Sequence, residues 1–168
     1  MTQTILLIED NEDDAELTKR ALKKCNSALE VIHLKDGAEA VQWLTHSTEE
    51  ANAPKLDLLA LILLDIKLPK LNGIEVLKQI RQNERTKLIP VVMLTSSKEE
   101  EDLINSYKNQ CNSYITKPIE FTKFNDAVIQ TGTYWLQLNQ QPQTLIITNA
   151  QSISIMPPYS DLAHEEAQ

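Results

Sequence analysis

Three stretches of this chain are apolar at every position: Ile5-Leu6-Leu7-Ile8, Leu61-Ile62-Leu63-Leu64 and Val91-Val92-Met93-Leu94. A strand with one face in water alternates apolar and polar residues, whereas these runs have the short, unbroken apolar form of strands buried on both faces in a parallel sheet. Each run closes on a polar residue. Glu9-Asp10 follows the first, Asp65 the second and Thr95 the third, while Lys117-Pro118 follows the β-prone segment Ser113-Tyr114-Ile115-Thr116. Ligands of open α/β sheets bind beyond the carboxyl ends of the strands. Carboxylates, a hydroxyl and an ammonium are therefore expected to meet at one rim.

Strands are expected near 4–9, 29–34, 59–65, 90–95 and 113–116, alternating with helices as βαβ units do. Three helix starts carry an acceptor with Glu three residues later: Asp36 with Glu39, Asn72 with Glu75, and Ser97 with Glu100. Apolar stripes at helical spacing run through Gly37/Ala40/Val41/Leu44 and Gly73/Val76/Leu77/Ile80. A last helix over roughly 121–138 is expected to bury Phe124, Val128 and Trp135. The run Lys98-Glu99-Glu100-Glu101-Asp102 reads as a solvated first turn favoured by the helix dipole. The fold class is α/β, a five-stranded, doubly wound parallel sheet with helices on both faces. The polar segment from Thr45 to Asp57, with Pro54, reads as a surface loop longer than usual. After Leu138 the alternation stops. Residues 139–143 read as a linker, 144–148 and 152–156 are β-prone, and an acidic end follows Pro157-Pro158. The expected division is a domain at 1–139 and a tail at 140–168, partly disordered or adding a strand.

The net charge of −8 argues against binding a nucleic-acid backbone, which calls for a basic patch. No apolar stretch reaches the roughly 20 residues that span a bilayer. Met1-Thr2-Gln3-Thr4 lacks the basic region of a signal peptide. Cys25 and Cys111 read as isolated reduced thiols of a cytoplasmic protein. His33, His46 and His164 show no ligand or catalytic spacing and are expected at the surface.

The residues at the rim suit phosphorylation of an aspartate. A carboxylate attacking a phosphoryl group brings two anions together, a repulsion of several kcal/mol even at an effective dielectric near 20. A divalent cation removes it, and hard Mg²⁺ prefers carboxylate and water oxygens. Asp65, alone at the end of the central strand, is the candidate nucleophile. Asp10 is a candidate direct metal ligand, Glu9 one acting through water, and the Lys67 backbone carbonyl a further one. Lys117 and the Thr95 hydroxyl suit the phosphoryl oxygens.

The ordered set Glu9-Asp10, Asp65 with Pro69 and Gly73, Thr95-Ser96 and Lys117-Pro118 resembles the receiver domain of two-component response regulators, over residues 4 to about 138. The resemblance implies a flavodoxin-like sheet of order 2-1-3-4-5, Asp65 as phosphoacceptor, a Mg²⁺ pocket of Glu9, Asp10 and Asp65, and phosphoryl contacts from Thr95 and Lys117. It also implies a cis Lys117–Pro118 bond and a switching role for Tyr114 coupled to Thr95. The run from Ile5 to Asp14, Leu68-Pro69-Lys70-Leu71-Asn72-Gly73, and Tyr134-Trp135-Leu136 are similar to small stand-alone regulators of cyanobacterial phytochrome histidine kinases. Those imply a sensor kinase as partner and a homodimer through helix 4, strand 5 and helix 5.

Two other readings stand beside this one. A phosphatase of similar fold would carry a second Asp two residues after the nucleophile, where this chain has Lys67. A receiver-like dimeric module independent of phosphorylation would keep the fold without using the site. Lys67 and Ser97 flank the site and are expected to tune the lifetime of the phosphoryl group. No DNA-binding domain is expected after residue 139, so output is expected through a partner.

Overall fold

The computed structural model describes residues 3–46 and 56–142. The β-prone segments at 144–148 and 152–156, the acidic end and the middle of the 45–57 segment lie outside the described residues. So do the side chain of His46 and the whole of His164.

Five parallel strands form the sheet of the described residues: β1 (Thr4–Ile8), β2 (Glu30–Leu34), β3 (Leu59–Leu64), β4 (Val91–Thr95) and β5 (Ser113–Thr116). Their spatial order is β2-β1-β3-β4-β5. The connecting helices are α1 (Glu12–Cys25), α2 (Gly37–His46), α3 (Gly73–Gln82), α4 (Glu100–Lys108) and α5 (Phe121–Thr133). Every residue of β1, β3 and β4 is buried, as unbroken apolar runs require. Alternate residues serve opposite faces. Ile5, Leu7, Leu61, Leu63, Val92 and Leu94 pack with Leu22, Phe124 and Val128 of α1 and α5. Leu6, Ile8, Ile62, Leu64 and Met93 pack with Ala40, Leu44, Val76, Leu77 and Ile80 of α2 and α3. Each fully buried Leu or Ile represents about 1.5–3 kcal/mol of transfer free energy. The central strands are thereby fixed, and with them the polar residues at their ends.

The caps explain where three helices start. Asn11 accepts the Asp14 N–H at 2.9 Å, Asp36 the Glu39 N–H at 2.7 Å and Asn72 the Glu75 N–H at 3.0 Å. Glu39 also reaches back, not to the N–H of the Asp36 cap but to that of Lys35 before it, at 3.1 Å, a shifted form of the reciprocal pair. Ser97 does not cap α4. That helix starts at Glu100 after Glu99, and Ser97 is buried and bonded elsewhere. At the C-terminal end of α4, Gln110 has φ 65°, its N–H donating to Tyr107 and that of Cys111 to Ser106, a left-handed cap without glycine.

The last helix also departs from the expected period. α5 ends at Thr133, and Tyr134–Leu138 form a π-helical turn. The wider turn shifts the angular positions of its side chains, so Leu136 enters the core with Phe124 and Val128, and Trp135 is only half-buried. Its ring meets that of Tyr134 edge-on, centroids 5.0 Å apart.

Candidate functional site

β1, β3 and β4 all end at the same rim, and their registers set which residues stand there. Ile8 lies beside Leu64, and Leu64 beside Met93, so Glu9-Asp10, Asp65 and Thr95 come within a residue or two of one level. β5 adds Lys117, whose backbone N–H donates to the Thr95 carbonyl at 2.8 Å. The four strand ends thus converge as their sequences suggest.

Asp65 and Glu9 are buried carboxylates. Asp65 Oδ1 accepts the Ile66 N–H at 2.7 Å and the Lys67 N–H at 3.4 Å. Its Oδ2 faces Lys117 Nζ at 3.2 Å. Glu9 Oε1 accepts the Asn11 N–H at 3.0 Å, and its Oε2 takes Lys117 Nζ at 2.5 Å. Burial pushes the Glu9 carboxyl up to about 7, with Lys117 opposing the shift and the charge of Asp65 adding to it. Burial alone would weaken the Lys117 ammonium, but Asp65, Glu9 and Asp14 outweigh it and raise its pKa.

One carboxylate oxygen from each of Glu9, Asp10 and Asp65 lies within 4.8 Å of the others. Oxygen donors so clustered, two from buried side chains and one exposed, fit a hard divalent cation that keeps part of its water shell. The buried Lys117 ammonium between Glu9 and Asp65 marks the same spot as one that draws positive charge.

Around this pocket the loops are tied together. Lys70 has φ 65° at the turn after Pro69, and its Nζ pairs with Asp36 at 2.6 Å. Gly73 comes next, its N–H donating to the Ile66 carbonyl at 2.8 Å. A Cβ on Gly73 would stand 2.0 Å from the Asp65 carbonyl oxygen, so only glycine allows this approach. Thr95 is fully buried and its hydroxyl accepts the Ser97 N–H at 3.2 Å. Ser97 in turn donates from Oγ to Asp102 at 2.5 Å, and its carbonyl accepts the Tyr114 hydroxyl at 3.3 Å. Burial pushes the Tyr114 phenol up against the opposing effect of that bond, and keeps it a donor. The Lys67 side chain turns outward and pairs with Glu99 at 3.3 Å and Asp102 at 3.4 Å. Lys67 and Ser97 are therefore joined through Asp102.

Three features differ from expectation or escaped it. The Lys117–Pro118 bond is trans, as are all peptide bonds among the described residues. The long lysine stem reaches the carboxylates without a cis bend, and trans is the ground preference of X–Pro by about 0.5–1 kcal/mol. His33 is not a free surface residue, since its Nε2 lies 2.8 Å from the Glu9 carbonyl. Asp14 joins the site from α1, 2.9 Å from Lys117 Nζ. Its only sequence signal is its place in the first turn of α1, close behind Glu9-Asp10.

The model of the response regulator receiver domain matches residues 5–129. The chain belongs to the response regulator receiver family. Among its relatives is response regulator Rcp1 of Synechocystis sp., 40% identical over 135 residues, covering 80% of this chain and 90% of Rcp1. A probable methanogenesis regulatory protein, FilR2 of Methanothrix harundinacea, is 39% identical over 139 residues, covering 82% of this chain and 86% of FilR2. The crystal structure of the phosphorylated cyanobacterial phytochrome response regulator RcpA superposes with a TM-score of 0.78 at 36% identity, covering 84% of this chain and 99% of RcpA. The Mn²⁺-bound form of Rcp1 gives 0.75 at 39% identity, covering 83% and 99%. The observed strand order is the flavodoxin-like one of this fold. This receiver is a phosphoacceptor protein of two-component signalling, a family of signalling proteins that partner sensor histidine kinases and hold a divalent metal in an acidic pocket. No helix of the described residues is long and apolar enough to cross a membrane.

Proposed function

We propose that Asp65 accepts the phosphoryl group from a sensor kinase's phosphohistidine and that Mg²⁺ is the cation of the pocket. The observation that carries this reading is the Asp65 carboxylate, buried at the end of β3 with Lys117 Nζ 3.2 Å from one oxygen and Glu9 and Asp10 alongside. In it Asp10 binds the metal directly, Glu9 through water, and the Lys67 backbone carbonyl completes the protein ligands. Bound there, Mg²⁺ neutralises the charge that gathers as carboxylate and phosphoryl group approach. The Ile66 N–H holds Asp65 Oδ1, which leaves Oδ2 as the attacking oxygen. Lys117 and Thr95 then bind phosphoryl oxygens.

Moving the Thr95 hydroxyl toward the phosphoryl group takes it from the Ser97 N–H, and Ser97 carries the Tyr114 hydroxyl on its carbonyl. That chain makes Tyr114 the switch residue and α4–β5–α5 the output face. Leu103, Ile104 and Tyr107 of α4, with Ile119 and Phe121 before and at the start of α5, are exposed apolar side chains. They suit a homodimer or partner surface there. The likeness to RcpA and Rcp1 speaks for a phytochrome kinase as the partner. Residues 1–139 form the receiver unit, 140–168 an appended tail, and the protein works in the cytoplasm.

The test is intact mass and sedimentation after acetyl phosphate and Mg²⁺, with Asp65→Asn alongside. Phosphoryl mass on the wild type alone, with a shift in dimer population, supports the reading. Labelling retained by Asp65→Asn sinks the assignment. An unlabelled wild type leaves the phosphorylation-independent module in its place.

A further inference from the structure

An ammonium has three N–H donors, and Lys117 gives each to a different carboxylate: Glu9 at 2.5 Å, Asp14 at 2.9 Å and Asp65 at 3.2 Å. Two of those acceptors, Glu9 and Asp65, form the metal-suited group with Asp10. Asp14 stands outside it. It belongs to the first turn of α1, where the Asn11 cap holds its backbone N–H at 2.9 Å. Its side chain is 31% exposed, against 6% for Lys117 and 3% for Glu9. A carboxylate at that edge keeps part of its hydration, so its charge is far less costly to maintain than a buried one.

Loading the pocket with a cation changes the surroundings of Lys117. Glu9 and Asp65 then share their charge with the metal, directly or through water, and the hold of both on the ammonium weakens. A buried charge left without partners is strongly unfavourable. We infer that Asp14 is a positioning residue, which retains the Lys117 ammonium at the rim when Glu9 and Asp65 are given over to a divalent cation. This rests on the reading of Glu9, Asp10 and Asp65 as the metal pocket. Asp14 thereby strengthens metal binding through Lys117, by giving the displaced ammonium a place to stay. Direct attraction of the cation by a hydrated carboxylate is a smaller, salt-screened effect.

The two routes separate in a double-mutant cycle. Mn²⁺ affinity is measured by calorimetry, without phosphoryl donor, on wild type, Asp14→Asn, Lys117→Gln and the double variant. Glutamine keeps a polar donor in the buried position, and thermal melts establish that each variant is folded. Asp14→Asn is expected to weaken Mn²⁺ binding fivefold or more when Lys117 is present, and less than twofold when it is glutamine. Asp14→Glu, which keeps the carboxylate, is expected to restore most of the affinity. Equal weakening in both backgrounds assigns Asp14 to direct attraction and overturns the inference, as does no weakening at all. An Asp65→Asn control isolates the underlying reading: Mn²⁺ affinity unmoved by that change removes the pocket itself, and the role of Asp14 with it.

Discussion

A carboxyl group buried beside a second carboxylate favours its proton over its charge, and Glu9 is held in that position. A proton on Glu9 competes with any cation for the same oxygen. Below pH 7 the proton wins and above it the carboxylate is free, so Mg²⁺ affinity should rise with pH. With Glu9 at about 7, the ionised fraction climbs about tenfold from pH 6 to pH 8 and the affinity should rise with it. Calorimetric titrations at both pH values check this, and Glu9→Gln should flatten the profile. Gly73 answers a different demand, that of space. Its Cβ would sit 2.0 Å from the Asp65 carbonyl, so Gly73→Ala must push the Asp65 backbone aside. Urea unfolding should register a loss of about 1–3 kcal/mol, together with slower labelling by acetyl phosphate. At this scale the sequence was most readable where function sits at a strand end. Glu9, Asp10, Asp65, Thr95 and Lys117 each come after a β-run, and topology alone brings them together. Asp14 lies on a helix whose surface is full of acids, where no periodicity separates a site carboxylate from a solvated one. His33 was hidden for a similar reason, since a backbone carbonyl as partner leaves no motif.

Elements were read from their pattern and misread where tertiary bonds displaced local ones. Ser97 has the residue type and spacing of a cap, yet its hydroxyl goes to Asp102 and its carbonyl to Tyr114. The expected α5 stripe failed at Trp135 because a π-helical turn inserts an extra residue that no side-chain pattern announces. The end of α4 was silent for want of a glycine. Gln110 occupies the left-handed position that glycine takes at no steric cost. Gln110→Gly should therefore stabilise the protein by about 0.5–1 kcal/mol, seen as a higher thermal midpoint with unchanged phosphorylation. A lower midpoint would mean that the Gln110 side chain has a contact stronger than the strain.

At the scale of the whole molecule, the rim with its carboxylates has a counterpart at the other end of the sheet. There Arg81 donates from Nε to the Gln110 carbonyl at 2.9 Å, from one terminal nitrogen to Lys87 and Ile89, and from the other to Asn112 Oδ1 at 2.9 Å. One guanidinium thus joins α3, the approach to β4 and the approach to β5. Arg81→Met should cost about 2–3 kcal/mol in chemical denaturation, because it leaves several polar groups short of a partner. Labelling of Asp65 in the folded fraction should be unaffected, since the site is at the opposite pole. The proposed output face on α4 carries the exposed side chains of Leu103, Ile104 and Tyr107. Tyr107→Arg on α4 should abolish association while leaving phosphoryl uptake intact, a separation that sedimentation and intact mass measure together. The sheet order and its two core layers were legible in unbroken apolar strands alternating with striped helices. The cooperation of distant loops through Arg81 was not, because long-range hydrogen bonds leave no period in a sequence.

The edge-on pair of Tyr134 and Trp135 has an optical consequence. The chain has two tryptophans. Trp135 lies past the end of α5, next to Leu136, whose carbonyl accepts from Gln3 before β1. It therefore emits from the pole farthest from Asp65. Replacing Trp43 with phenylalanine leaves a single tryptophan there, which excitation at the red edge of the indole band selects over the four tyrosines. Any change in its quantum yield when phosphoryl donor is added is a signal that has crossed the length of the domain, recorded without a dye.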